Sequence, residues 1–228
     1  MRNEYINLVK TLLEKQEEKS LEEMPLPQDW DKEVFKDKNS FAKQIKYATD
    51  RALKVGTGSS RVAFVIPFEN RKTVLKIAKN VKGLHQNQVE GDWGLRQMYP
   101  DVAIPLIDVD EENDLPRWIH EEFAEKLTKS IFKKLTGFNF ELFGLALMID
   151  EEQRSGKQKY YHRRVPPASE EYQAIISSEL FEDISRMMGD FGILAGDLDR
   201  LANWGVYKGK PTIIDLGFTE STKTFYHQ

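Results

Sequence analysis

The chain has 228 residues and a formal net charge of −4, with 40% hydrophobic and 31% charged residues. This balance is typical of a globular protein long enough to bury a core, as one large domain or two small lobes. No cluster of Lys and Arg dominates any face, which argues against a nucleic-acid partner. The sequence has no cysteine, which excludes disulfides and Cys-ligated zinc, and its four histidines are dispersed. No apolar run approaches the length of a membrane span, so we expect no membrane partner and a cytoplasmic location.

The first part of the chain, residues 1–51, predicts a helical extension. Apolar side chains recur at helical spacing over residues 4–18 and predict an amphipathic helix. An acidic connector with prolines covers residues 22–38. Asn39 or Ser40 is positioned to cap a second helix that runs to about Arg51.

Residues 52–123 predict a strand-rich lobe. Short β-prone runs separated by turn residues predict strands over 52–55, 62–66 and 73–78. A helical pattern then covers 83–98, and two further extended segments are predicted at 103–109 and 118–123.

Residues 124–228 predict a helical lobe. Its first helical segment covers 126–149 with a break at 137–139, a charged loop follows at 150–169, and a long helix covers 169–188. The whole chain therefore predicts an α+β fold of two lobes, with an N-terminal antiparallel sheet and a C-terminal helical part.

Polar side chains are concentrated on two short segments near the end of the chain. Asp197, Asp199 and Asn203 lie in one of them, and Asp215 opens Asp-Leu-Gly after an apolar run. Carboxylate and amide oxygens on short loops are suited to hold Mg²⁺ together with a nucleotide phosphate tail. The eighteen positions from Asp197 to Asp215 suffice for a loop, a β-hairpin and a return to the same cleft.

A glycine-rich segment and a lysine lie far upstream of these carboxylates. Gly56 and Gly58, between two predicted strands, would let backbone amides approach phosphate oxygens, although an ordinary hairpin turn explains them as well. Lys76 lies in an apolar strand, where a buried ammonium needs an anionic partner, unless strand alternation points it to solvent. Glu90, on the following helix, is the natural partner for it.

In this order the motifs resemble those of the protein-kinase and aminoglycoside-phosphotransferase superfamily, more closely its small, phage-like members, over about residues 52–218. The resemblance implies an ATP site with Mg²⁺. The loop over 56–61, which contains Gly56, Gly58 and Ser59, would cover the triphosphate. Lys76, held by Glu90, would contact the α- and β-phosphates.

The same resemblance implies roles for the later residues. Asp197 would be the catalytic base, with Asp199 as the competing candidate because the family interval to Asn203 falls between the two. Asn203 and Asp215 would be metal ligands. The strip over 119–123, which includes Glu121 and Phe123, would bind adenine through its backbone.

Two functions remain open at this point. The first is an ATP- and Mg²⁺-dependent phosphotransferase that acts on a hydroxyl of a protein or a small molecule. The second is a catalytically inactive pseudokinase that serves as a protein-binding module, in a host cytoplasm if it is viral. Two departures from the family separate these functions: only eleven residues follow Gly217, and Ala195-Gly196 stands where a histidine is common. Either the first 50 residues and the region 126–168 build the acceptor site, or the transfer chemistry has been lost.

Overall fold

A computed structural model describes residues 27, 29–156, 161, 169–217 and 219. The helix predicted over 4–18 lies outside the described residues, as does much of the charged loop predicted at 150–169. None of the described helices has the length and apolar character needed to cross a bilayer.

Two helices precede the sheet, α1 (Lys32–Lys36) and α2 (Phe41–Arg51). The helix α1 lies inside the connector, where the sequence predicted none. Asp31 explains it, because its carboxylate accepts from the amides of Glu33 and Val34 at 2.9 and 3.1 Å and so caps the helix. Ser40 caps α2, as one of the two predicted alternatives.

The sheet has five strands, and every neighbouring pair is antiparallel. In space the order is β1-β2-β3-β5-β4, so the last two strands in sequence are exchanged. Their bounds are β1 (Leu53–Thr57), β2 (Arg61–Phe68), β3 (Arg71–Ala78), β4 (Leu106–Val109) and β5 (Trp118–Glu122). The strand predicted from residue 103 is therefore shorter than expected.

The helix predicted over 83–98 is two helices, α3 (Val81–Glu90) and α4 (Trp93–Met98). The helix is interrupted at Gly91 because Asp92 caps a new one. The Asp92 carboxylate accepts from the amide of Gly94 at 2.7 Å. This break makes Glu90 the last residue of α3.

The remaining elements form the helical part. They are β6 (Glu125–Lys126), α5 (Lys129–Thr136), α6 (Phe140–Ser155), α7 (Glu170–Ile176), α8 (Glu179–Phe191), α9 (Ala195–Leu198), a 3₁₀ turn (Leu201–Asn203), β7 (Trp204–Tyr207) and β8 (Lys210–Ile213). The break predicted at 137–139 is confirmed, with Gly137 in the left-handed region at φ 82°. The long helix predicted over 169–188 is interrupted, because the Ser178 hydroxyl caps α8.

Two hydrophobic cores organise the chain. One lies between the sheet and α1–α2 and contains Phe35, Phe64 and Trp118. The other fills the helical part, where the ring of Phe132 meets that of Trp204 edge-on at 5.8 Å. The second core also takes in Leu95, so α4 packs with the helical part. The predicted α+β class, with an N-terminal antiparallel sheet followed by helices, is confirmed. We call β1–β5 with α1–α3 the sheet lobe. We call α4 and all elements from β6 through β8, including α5–α9, the helical lobe.

Candidate functional site

A cavity of about 1270 Å³ lies between the two lobes. One wall consists of β1, the start of β2 and part of β3. The opposite wall comes from the 3₁₀ turn, the start of β7 and the segment that follows β8, and residues between β5 and α5 close one side. Its position between two lobes is typical of a small-molecule site, and its volume exceeds the range of about 300–1,000 Å³ that is usual for such sites.

Lys76 lies on β3 and is only 9% exposed, so the alternative in which it points to solvent is wrong. Its Nζ lies 2.7 Å from Glu90 Oε2 and 2.7 Å from Glu121 Oε2, and it also donates to the carbonyl of Ile214. Burial alone would lower the pKa of Lys76, but Glu121 and Glu90 raise it above its usual value. The side chain is therefore a cation at neutral pH.

Glu90 is fully buried and joins three parts of the chain. Besides Lys76, it accepts from Arg61 Nη2 at 2.6 Å and from the backbone amide of Leu216 at 3.1 Å. Burial would raise the pKa of Glu90, but Arg61 and Lys76 hold it well below its usual range. The carboxylate is therefore the anion that ties β2 and β3 to the Asp-Leu-Gly segment.

Arg61, the first residue of β2, closes the loop predicted over 56–61, but the sequence pattern assigned it no role of its own. Its side chain is 8% exposed, and its Nη2 lies 2.8 Å from Asp215 Oδ1 as well as contacting Glu90. Its Nη1 donates to Asn87 Oδ1 at 3.4 Å. The only available signal was an arginine at the start of an apolar strand, directly after the glycine-rich loop.

Asp215 lines the cavity and keeps 40% of its side chain exposed. Burial, with the nearby Glu90 charge, raises the pKa of Asp215 to about 7, while Arg61 opposes the rise. Hydration of the exposed part moderates this increase. Asp215 is thus the least buried anion of the cluster and the one most accessible to a ligand.

The structure brings Asp197 and Asn203 together. Asp197 lies in α9, a single helical turn where a loop was expected, and Asn203 Nδ2 donates to its carbonyl and to its Oδ1 at 2.8 and 2.9 Å. The carbonyl of Asn203 accepts from the amides of Ile214 and Asp215 at 2.8 and 3.3 Å, which positions the Asp-Leu-Gly segment beside this turn.

Asp199 lies on the other side of the same turn and is exposed. Its Cβ packs over Gly144 of α6, where a Cβ on the glycine would lie 3.1 Å away. Partial desolvation of its carboxyl raises the pKa of Asp199 above its usual value, and the charge of Arg200 opposes the rise. Of the two candidate bases, Asp197 is the one bonded to Asn203.

Gly56 and Gly58 line the cavity, and neither has a positive φ. A Cβ on either residue would find its nearest neighbour at 3.8 Å, which is an ordinary contact. Packing within the chain therefore does not require glycine at these two positions. Ser59 is not part of the cavity wall, and its carbonyl accepts from Asn80 Nδ2 at 3.1 Å.

The strip predicted to bind adenine lies mostly inside the sheet. Glu121 is paired with β3 on one side and β4 on the other. Its side chain points at Lys76 and at Arg96 of α4, whose Nη2 is 2.6 Å away. Phe123 and Ala124, just beyond β5, line the cavity and are the better candidates for a backbone contact with a base.

No group of three or more acidic or histidine side chains among the described residues forms a ready-made metal cage. Mg²⁺, however, is usually held by one or two carboxylates and completes its shell with water and substrate phosphates. Of the two predicted metal ligands, Asp215 lines the cavity, whereas Asn203 is not part of its wall and lies behind it in the 3₁₀ turn. Arg61 competes for one oxygen of Asp215.

No protein-family model matches this chain, and no curated protein is similar to it. Among solved structures, aminoglycoside phosphotransferase APH(4)-Ia is similar, with 14% identity over 50% of this chain and a TM-score of 0.27. The match spans 38% of the length of that protein. The apo form of a thermostable mutant matches with 13% identity over 77% of this chain and 70% of the other, with a TM-score of 0.31. Such scores do not establish a shared fold, so the function proposed below depends on the residues of the cleft.

Proposed function

We propose that this protein is a phosphotransferase of kinase-like fold that binds ATP in the cavity between its lobes. One observation carries the proposal: Lys76, Glu90 and Asp215, widely separated in sequence, form one cluster at the wall of a nucleotide-sized cavity. Buried clusters of charged groups with shifted pKa values in a cleft are characteristic of functional sites.

Each part of the cavity has a role in this proposal. The glycine-rich loop covers the phosphates, and backbone groups near Phe123 contact the base. Glu90 orients Lys76 toward the phosphates. Asp215 and Asn203 would hold Mg²⁺, which would neutralise phosphate charge.

Asp197 is the proposed base. The hydroxyl oxygen of the acceptor attacks the γ-phosphorus, the bond to the β–γ bridging oxygen breaks, and ADP leaves. The proton of the hydroxyl passes to the Asp197 carboxylate. The acceptor is a hydroxyl on a protein or a small molecule.

Calorimetric titration with Mg–ATP tests nucleotide binding. We expect binding to the wild-type protein and a loss of at least tenfold in affinity for Asp215→Ala. Asp101→Ala is the matched control, because Asp101 pairs with Lys210 on the surface and is 67% exposed. If Mg–ATP at millimolar concentration gives neither heat nor a shift in melting temperature, the proposal is wrong.

Release of ADP in the presence of candidate acceptors tests the catalytic step. We expect Asp197→Asn to lower kcat by at least a hundredfold while nucleotide affinity is unchanged, and Asp199→Asn to have a small effect. A loss confined to Asp199→Asn would assign the base to that residue instead.

A pseudokinase that binds a nucleotide and acts as a protein-binding module is the second candidate. The ion pair between Arg61 and Asp215 supports it, because it occupies an oxygen that the metal would use. Nucleotide binding without turnover for any acceptor would favour this function. The cytoplasmic location stays a prediction.

A further inference from the structure

We propose that Arg61 is a phosphate-binding residue of this cleft, and that it exchanges Asp215 for a phosphate oxygen when the nucleotide arrives. The inference rests on the proposed function, because it assigns a further residue to the same site. It goes beyond that function by naming the residue whose partner changes between the empty and the loaded cleft.

The position of Arg61 supports this role. It directly follows the turn over 58–60 that joins β1 to β2, and it lines the cavity together with Gly56 of β1 and Gly58 of the turn. Glu90 and Asn87 of α3 hold its guanidinium from one side, and Asp215 contacts it from the other. The guanidinium therefore lies beside the wall where the loop would cover the phosphates.

Lys76 alone is poorly prepared to accept a phosphate in this arrangement. An ammonium has three N–H donors, and the contacts of Lys76 with Glu90, Glu121 and the Ile214 carbonyl account for all three. A phosphate oxygen can bond to Lys76 only if one of these contacts breaks, and both carboxylates are at most 2% exposed.

Arg61 has more N–H donors available for a phosphate than Lys76 has. Its contacts with Glu90, Asp215 and Asn87 account for three of the five N–H groups of a guanidinium, as far as the described residues are concerned. The planar arrangement of these donors suits phosphate oxygens well. The residue therefore has donors for a phosphate even before an existing bond breaks.

Asp215 is the partner most easily exchanged. Its side chain is 40% exposed, whereas Glu90 is fully buried and bonded to Lys76, Arg61 and the Leu216 amide. Exchange would leave Arg61 anchored by Glu90 and would release an Asp215 oxygen for the metal. A single movement would thus prepare both the phosphate contact and the metal ligand.

Titrations of Arg61→Gln with Mg–ATP and with adenosine test this assignment. We expect the affinity for Mg–ATP to fall at least tenfold and the affinity for adenosine to stay within twofold of wild type, because adenosine has no phosphate for Arg61 to contact. With ATP in EDTA the weakening should persist, because a guanidinium contact needs no metal. Arg71→Gln is the matched control, since Arg71 lies outside this cavity and pairs with Glu69 and Glu122.

The other outcomes overturn the inference. Equal weakening of Mg–ATP and adenosine would mean that Arg61 only supports the fold. Tighter binding of Mg–ATP would mean that Arg61 merely competes with the metal for Asp215. If wild type binds Mg–ATP and these variants match it, the inference fails and the proposed function stands; if wild type binds no nucleotide, both fail.

Arg61→Lys covers the case in which Arg61→Gln does not fold. Lysine keeps the positive charge beside Glu90 but has one nitrogen in place of the planar guanidinium. We expect a threefold to tenfold weakening for Mg–ATP with adenosine binding unchanged. An unchanged affinity for Mg–ATP would show that the guanidinium makes no phosphate contact.

Discussion

The two walls of the cleft are built in different ways. On the sheet side, Arg61, Lys76, Glu90 and Glu121 form one buried ion-pair cluster, which Arg96 of α4 and the partly exposed Asp215 join from the helical lobe. On the helical side, the site is one short turn in which Asn203 bonds to Asp197, six positions earlier.

This difference has consequences for stability. Removing one member of a buried ion pair leaves its partner charged without compensation, which typically costs about 3–5 kcal/mol. Losing a hydrogen bond within a turn costs less, about 1–2 kcal/mol, even where the acceptor is a carboxylate as at Asp197. Single substitutions on the sheet side should therefore lower the stability of the protein. Single substitutions on the helical side should mainly lower its activity.

Glu90→Gln should give the largest loss of stability. Lys76 would keep only Glu121, and Arg61 would keep only the partly exposed Asp215. Because the cluster loses a fully buried carboxylate that pairs with two cations, we expect the free energy of unfolding in urea to fall by about 3–5 kcal/mol. Glu141→Gln is the control, because the pair between Lys129 and Glu141 is 61% and 56% exposed and is worth less than about 1 kcal/mol. Similar losses in the two variants would contradict the contrast between buried and exposed pairs.

Gly217→Ala should have the next largest effect. A Cβ at this position would lie 2.9 Å from two carbons of Gln86 and 3.0 Å from Glu90 Oε1, so the Asp-Leu-Gly segment would have to move away from α3. We expect a loss of about 1–3 kcal/mol in thermal unfolding.

Gly196→Ala is the matched control for this substitution. The nearest contact of its Cβ would be Met148 Cε at 3.7 Å, and the residue lies within α9. The free energy of unfolding of the Gly196→Ala variant should equal that of wild type. A loss as large as that of Gly217→Ala would show that close packing at Gly217 is not the cause.

The buried His120 on the sheet side should make stability depend on pH. Burial lowers its pKa to about 3, below the value near 6.5 of an unfolded chain. At pH 5.5 His120 therefore binds a proton in the unfolded chain but not in the folded chain. Acidification thus favours the unfolded chain and lowers the free energy of unfolding. Relative to His120→Gln, wild type should lose about 1.4 kcal/mol between pH 7.5 and 5.5 in urea unfolding. A parallel response of the two proteins would show that His120 titrates normally when folded.

Asn203→Ala should have the smallest effect on folding. It removes two bonds to Asp197, which hold only a local turn, so we expect a loss of about 1–2 kcal/mol in urea unfolding. A loss of more than about 3 kcal/mol would mean that the helical wall is as tightly coupled to the fold as the ion-pair cluster.

The sequence predicted those features that depend on local signals or on a single expected partner. Ser40 capped a helix as expected, and Lys76 in an apolar strand implied a buried carboxylate, which Glu90 provides. The contact of Arg61 with Asp215 spans 154 positions, and nothing in either local pattern links the two residues.

The misplaced helix boundaries have a similar cause. A helical pattern of apolar residues continued across Gly91 and again across Ser177-Ser178, but in both places a polar cap started a new helix. Periodicity does not register such breaks, because the cap satisfies backbone groups without changing the apolar spacing. The first of them matters for the site, because it places Glu90 at the end of α3.

A crystal structure with a non-hydrolysable ATP analogue and Mg²⁺ would test the central claim most directly. We predict the triphosphate in the cavity between the lobes, with Arg61 within hydrogen-bond distance of a phosphate oxygen and Asp215 facing the metal. A nucleotide bound outside this cavity, or bound inside it with Lys76, Arg61 and Asp215 all remote from the phosphates, would contradict the assignment.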